Sequence, residues 1–145
     1  MTDPLVVTRK VAALLDHVAR LRRRRPATPE LIRDDIDLQD AIGMSFVVAM
    51  QNAVDLALHV AASNSLGMPA STAESFRVLG ARGLVPSELV EELVRMVALR
   101  NRIAHGYASV DFARVWSELP AGLDALERFA GLAVKLGATS RRNAP

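Results

Sequence analysis

The run DLQDAIGMSFVVAMQNAVDLALHVAA, from Asp37 to Ala62, decides the fold class. Ala41, Ile42, Met44, Phe46, Val47, Val48, Ala49 and Met50 wrap nearly the whole circumference of a helix. A helix that is apolar all round is buried on more than one side. In a chain of 145 residues the surplus face is expected to meet another subunit. Asp37 reads as the cap of this helix, which should reach about Ala62. The longest stretch without charge, Ala41 to Val54, is too short to span a membrane and carries Gly43, Ser45, Gln51 and Asn52.

Helix punctuation recurs on both sides of this run. Asp3-Pro4 is a cap followed by proline at the first helical position, and Leu5, Val6, Val11, Ala12, Leu14, Leu15, Val18 and Leu21 continue as a stripe. That helix should fray into Arg22 to Arg25 and stop before Pro26, cations being suited to a helix C-terminus. Thr28-Pro29 repeats the signal for a short turn to about Asp34. Downstream, Ser63 to Ala70 is a loop, and Ser71-Thr72-Ala73-Glu74 fits a capping box for a helix ending near Gly80 or Gly83. Pro86 opens a helix that Gly106 closes as a C′ residue. Asp111 or Ser109 should cap a short helix through Trp116 and Leu119. A last helix is expected from about Ala121 to Leu136, closed by Gly137, with a loose polar tail from Ala138 to Pro145. Short connections between amphipathic helices imply an all-α, antiparallel up-and-down bundle of four to five helices, one domain over 1–145.

Composition agrees. Half the residues are apolar and aromatics are scarce, a balance that favours helices. The chain has no cysteine, which excludes disulfides, thiolate zinc sites and thiol chemistry and fits a reducing cytoplasm. The three histidines, at 17, 59 and 105, are too scattered for a metal site. Arginines greatly outnumber lysines at a net charge of only +2, which is compatible with a phosphate-rich partner without requiring one. No secretory signal is visible, and the reading is a soluble, cytoplasmic protein.

The chemistry gathers in Arg100-Asn101-Arg102-Ile103-Ala104-His105-Gly106-Tyr107. Arginine holds a phosphate through a planar fork of donors. Histidine gives or takes a proton near neutrality. On an ideal helix Arg100 and His105 differ by roughly 140° around the axis and about 7.5 Å along it, so only arginine's length brings the two together. Asn101 and His105, four apart, share a face. Tyr107 falls just past the helix. Spacing alone also fits a solvated helix end, with cations drawn to the dipole and glycine as the cap.

The eight residues complete a longer pattern. Arg100, Asn101, His105 and Tyr107 fill R-N-x-x-x-H-x-Y, which resembles the HepT toxins among the HEPN-domain ribonucleases. Val110-Asp111 and Trp116 fit the continuation, and the likeness runs from about Leu5 to Leu136. The resemblance implies a metal-independent endoribonuclease without a cofactor, acting as a homodimer with two motifs facing one cleft. Arg100 and His105 would be catalytic, with Asn101 orienting His105 or binding a phosphate oxygen. It further implies that a nucleotidyltransferase antitoxin of the MntA kind transfers AMP to Tyr107, a type VII toxin–antitoxin arrangement, with no membrane partner.

Other features have plainer readings. Arg22 to Arg25 is either a solvated helix end or a lining for an RNA path. Asp34, Asp35, Asp37 and Asp40 are better explained by helix capping than by a metal. His17 and His59 sit in helical stripes and read as packing or surface residues. Asp55 either pairs with an arginine across the bundle or is exposed. Two functions of other classes stand beside the ribonuclease: a non-catalytic adaptor or modification substrate of a nucleotidyltransferase, and a plain structural module, which the complete motif argues against. A nucleotidyltransferase gene next door would support pairing without establishing RNA cleavage.

Overall fold

In the computed structural model, residues 3–142 are described, with side chains given for all but Tyr107 and 138–142. Among them the chain forms six α-helices and one 3₁₀ turn, without strands: α1 (Pro4–Arg24), α2 (Pro29–Arg33), α3 (Ile36–Ser63), α4 (Thr72–Ala81), α5 (Ser87–His105), the turn Tyr107–Ser109, and α6 (Phe112–Arg142). The expected all-α bundle is present, with four long helices and two short ones.

Caps set the starts. Asp3 accepts from the Leu5 N–H at 2.9 Å ahead of Pro4. Asp35, rather than Asp37, caps α3 by accepting from Leu38 N–H, and Asp37 falls in the first turn, where a carboxylate also suits the dipole. Gln39 Nε2 donates to the carbonyls of Ile32 and Arg33, so α2 and α3 close on each other. Ser71 accepts from Glu74 N–H, but the Glu74 carboxylate is held by Arg77, so only half of the capping box forms.

Antiparallel packing is written in the cross-helix contacts. Lys10 meets Asp55 and Arg24 meets Ser45 between α1 and α3. Between α1 and α6, Arg22 meets Asp124 and Glu127. Between α5 and α6, Arg102 meets Glu118 and Arg128 meets Glu88. The core is aliphatic with three fully buried phenylalanines, and Phe76 and Phe129 meet edge to face at 5.3 Å. By length and apolar character α3 would pass for a membrane-crossing helix, yet 56% of its most apolar window is buried in the bundle. It packs on α1, α2, α4, α5 and α6. At Gly122 a Cβ would fall 2.1 Å from Met96 Sδ, so the packing of Met96 on α6 needs a residue without a side chain there.

One helix replaces two at the C-terminus. The expected break between Leu119 and Ala121 does not occur, because α6 runs unbroken through Pro120 and on through Gly137 to Arg142. Proline removes the N–H that would bond the carbonyl four residues back, here that of Trp116. That carbonyl accepts from Arg25 Nε at 2.9 Å instead. The Arg25 guanidinium also lies 3.9 Å over the Trp116 ring, and Trp116 Nε1 donates to the Pro26 carbonyl at 2.8 Å. The end of α1 therefore repairs α6 at its proline. Residues 143–145 of the expected loose tail lie outside the described residues.

Candidate functional site

α5 buries Leu89, Val90, Leu93, Met96, Val97, Leu99 and Ile103 on the core side, which leaves its opposite face for solvent. Asn101, Arg102, Ala104 and His105 are exposed, and Arg100 is half-buried. Arg100 lines a small cavity of about 90 Å³ with Gln51, Val54, Thr72 and Val97, so its stem is packed while its head stays near the surface. Arg100 Nη1 donates to Asn101 Oδ1 at 3.2 Å.

His105 is the last residue of α5. Among the described residues no hydrogen bond joins it to Arg100 or Asn101, so the structure pairs Asn101 with the arginine and not with the imidazole. Gly106 follows as the cap, its N–H donating to the Arg102 carbonyl at 2.9 Å. Its φ is −123°, so the left-handed conformation expected of a C′ glycine is not used. Space explains the glycine better. A Cβ there would lie 3.0 Å from the Arg102 carbonyl oxygen. Tyr107 begins the 3₁₀ turn, and its side chain lies outside the described residues. Asp111 then caps α6, accepting from Ala113 and Arg114 N–H, as its position in the sequence suggested.

The other singled-out residues go elsewhere. Arg22, Arg24 and Arg25 are engaged with α6 or α3, so most of the basic run is bracing between helices and not an open RNA path. Asp55 does pair across the bundle, but with Lys10 at 2.8 Å and with Gln51, not with an arginine. His17 Nδ1 and His59 Nε2 are buried with no hydrogen-bond partner among the described residues, in keeping with packing roles. Partial burial, with Arg20 and Arg24 nearby, holds His17 below its ordinary value, against the opposing pull of Asp16. Among the described residues no group of three or more His, Asp or Glu side chains is arranged to hold a metal ion.

Two neighbourhoods of α5 were not singled out by the sequence reading. Gln51 and Thr72 beside Arg100 come from distant segments, and no local spacing announces them. Arg102 and Arg114 share Glu118, at 2.9 and 3.3 Å. The i,i+4 spacing of Arg114 and Glu118 was the one visible sign of that cluster.

Residues 14–132 match the family described as Ribonuclease HepT-like. The chain is 29% identical over 97 residues to the mRNA nuclease HepT of Shewanella oneidensis, an alignment covering 67% of this chain and 73% of that protein. Its fold superposes on the tri-AMPylated Shewanella oneidensis HEPN toxin in complex with MNT antitoxin, with a TM-score of 0.82 at 25% identity, covering 91% of this chain and 97% of that one. A second solved toxin–antitoxin structure, with AMP-PNP, has a TM-score of 0.82 at 24% identity, covering 92% of this chain and 99% of that one, which is a likeness of fold.

Proposed function

The chain belongs to the HepT-like ribonuclease family, and on that footing we propose that it is the toxin of a type VII toxin–antitoxin pair: an RNA endonuclease that needs no metal and is silenced by a nucleotidyltransferase. The observation that carries the reading is the end of α5, where the half-buried Arg100, braced by Asn101, and the exposed His105 stand within one and a half turns.

The chemistry follows from the side chains. Arg100 neutralises the scissile phosphate and the charge that builds on it in the transition state. The RNA 2′-hydroxyl attacks phosphorus, its proton passes to an imidazole, and the departing 5′-oxygen takes a proton from an imidazolium. One His105 cannot do both at once. A symmetric homodimer supplies the second, which makes the apolar surplus of α3 part of the mechanism. Asn101 holds Arg100 in place through its carbonyl oxygen. Tyr107, two residues past His105, receives AMP, whose phosphate competes for Arg100 and whose bulk blocks RNA.

Expression in a bacterial host tests the pairing. Wild type should arrest growth, and co-expression with the cognate nucleotidyltransferase should restore it with a mass increase of one or more AMP units. His105→Ala should be harmless alone. Arrest by a folded His105→Ala protein would refute the nuclease reading and leave the modification-substrate alternative standing.

A further inference from the structure

Behind His105, on the flank of α5 away from Arg100, the chain folds a cleft of about 260 Å³ that carries two arginines. Positions 100 and 102 are separated by roughly 200° around a helix, so Arg102 faces nearly opposite to Arg100. Its floor is Leu99, Val110 and Val115, and its rim carries Arg102, Arg114 and Ser109. Arg102 Nη2 sits on one oxygen of the Glu118 carboxylate and Arg114 Nε on the other. Two guanidinium groups thus share one carboxylate. The remaining acid at the rim, Asp111, is occupied with the first N–H groups of α6. A guanidinium offers five donors, and one contact to Glu118 from each leaves most of them for a ligand. All three charged side chains are partly exposed, at 40% for Arg102, 59% for Arg114 and 29% for Glu118.

We infer that this cleft is a second nucleotide subsite, in which Arg102 and Arg114 hold a phosphate and the apolar floor lies under a base. The inference rests on the ribonuclease reading of the α5 terminus. The charges of the two arginines are balanced by Glu118 and Asp111, so what favours a nucleotide over an inorganic anion is the pair of guanidinium forks above an apolar floor, for which a bare anion has no use. The volume is below the roughly 300–1,000 Å³ of pockets that enclose drug-sized ligands, which suits one nucleotide and not a longer stretch. The backbone of Tyr107 passes between Gly106 and Ser109, both of which line the cleft. The same chemistry has two candidate sources: the RNA nucleotide next to the scissile phosphate and, where more than one AMP is added at Tyr107, an adenylate beyond the one whose phosphate meets Arg100. Glu118 holds the two arginines until a phosphate replaces it.

Two arms separate the sources. In the first, a 2′-O-methyl RNA decamer, which lacks the attacking hydroxyl, is titrated into unmodified protein at several salt concentrations. Arg102→Gln and Arg114→Gln should each weaken binding by about threefold to tenfold and lower the salt slope by about 0.7. Glu118→Gln should act in the opposite sense and tighten binding, an outcome that a merely structural role for the cluster would not give. Arg128→Gln, in the middle of α6 where it pairs with Glu88 at the start of α5, is the control. In the second arm, melting temperature is compared before and after modification of Tyr107. A gain in wild type that disappears in the Arg102→Gln/Arg114→Gln protein assigns the cleft to the adenylate. An effect in either arm supports the subsite and names its occupant. If wild type binds RNA or is modified normally and the double variant matches it in both arms, the subsite is wrong. A wild type that neither binds RNA nor takes AMP brings down the ribonuclease reading, and the subsite with it.

Discussion

Tyr107 and His105 are two residues apart and carry separable duties in this account. Tyr107→Phe should cleave RNA within about threefold of wild type, because the phenol takes no part in proton transfers that account for roughly 10²–10⁴-fold of rate. The same variant should gain no mass from the nucleotidyltransferase and should stay toxic beside it. If the partner silences Tyr107→Phe as well as it silences wild type, inhibition comes from binding alone. His17 gives a second prediction, with a definite sign. Its folded value lies below 6.5, so as pH falls below 6.5 the unfolded chain takes up the proton first and stability declines, while above 6.5 the contribution is complete. Urea unfolding at pH 5.5 and 7.5 should therefore show a smaller difference for His17→Gln than for wild type. An equal difference would exclude this histidine as a source. The motif residues were legible because their pattern is local. The bond from Arg100 to Asn101 was not, since helix spacing paired Asn101 with His105 and a flexible guanidinium went to its neighbour instead.

Helix starts were legible for the same local reason: Asp3, Ser71 and Asp111 cap where their positions indicate. The unbroken α6 was not. Pro120 reads as a stop until the freed Trp116 carbonyl finds a donor, and that donor, Arg25, lies 91 residues away. Arg25→Ala should cost about 2 kcal/mol, since it strips a carbonyl of its charged donor and an indole of its cation. Pro120→Ala restores the local N–H. The double variant should accordingly lose less than Arg25→Ala alone, a coupling that a double-mutant cycle in urea measures directly. Additive losses would mean that Arg25 stabilises α6 only through the ring. The ion pair of Lys10 with Asp55, partly exposed on both sides, should matter less, at about 0–1 kcal/mol.

At the scale of the molecule, the apolar excess of α3 was visible in its sequence, and the structure leaves part of it uncovered. Met44 is 66% exposed and lines a groove of about 530 Å³ with Gly43, Val47, Ile103 and Ala104, the last of these beside His105. A second copy seated there would bring two α5 ends together. Met44→Glu should therefore sediment as a monomer, keep its helical circular dichroism and lose RNA cleavage. A monomeric variant with full activity would remove the two-histidine mechanism and leave each chain to act alone. In the proposed mechanism the end of α5 moves protons on RNA without a metal. Its most direct test is the rate at which purified, unmodified protein cleaves an RNA oligonucleotide in excess chelator, beside His105→Ala and a substrate methylated at every 2′-oxygen. Wild type should cleave the unmethylated RNA, His105→Ala should cleave it at least about 100-fold more slowly, and neither should cleave the methylated strand. Undiminished cleavage by His105→Ala, or a wild type that cleaves only when a divalent cation is returned, would contradict the mechanism.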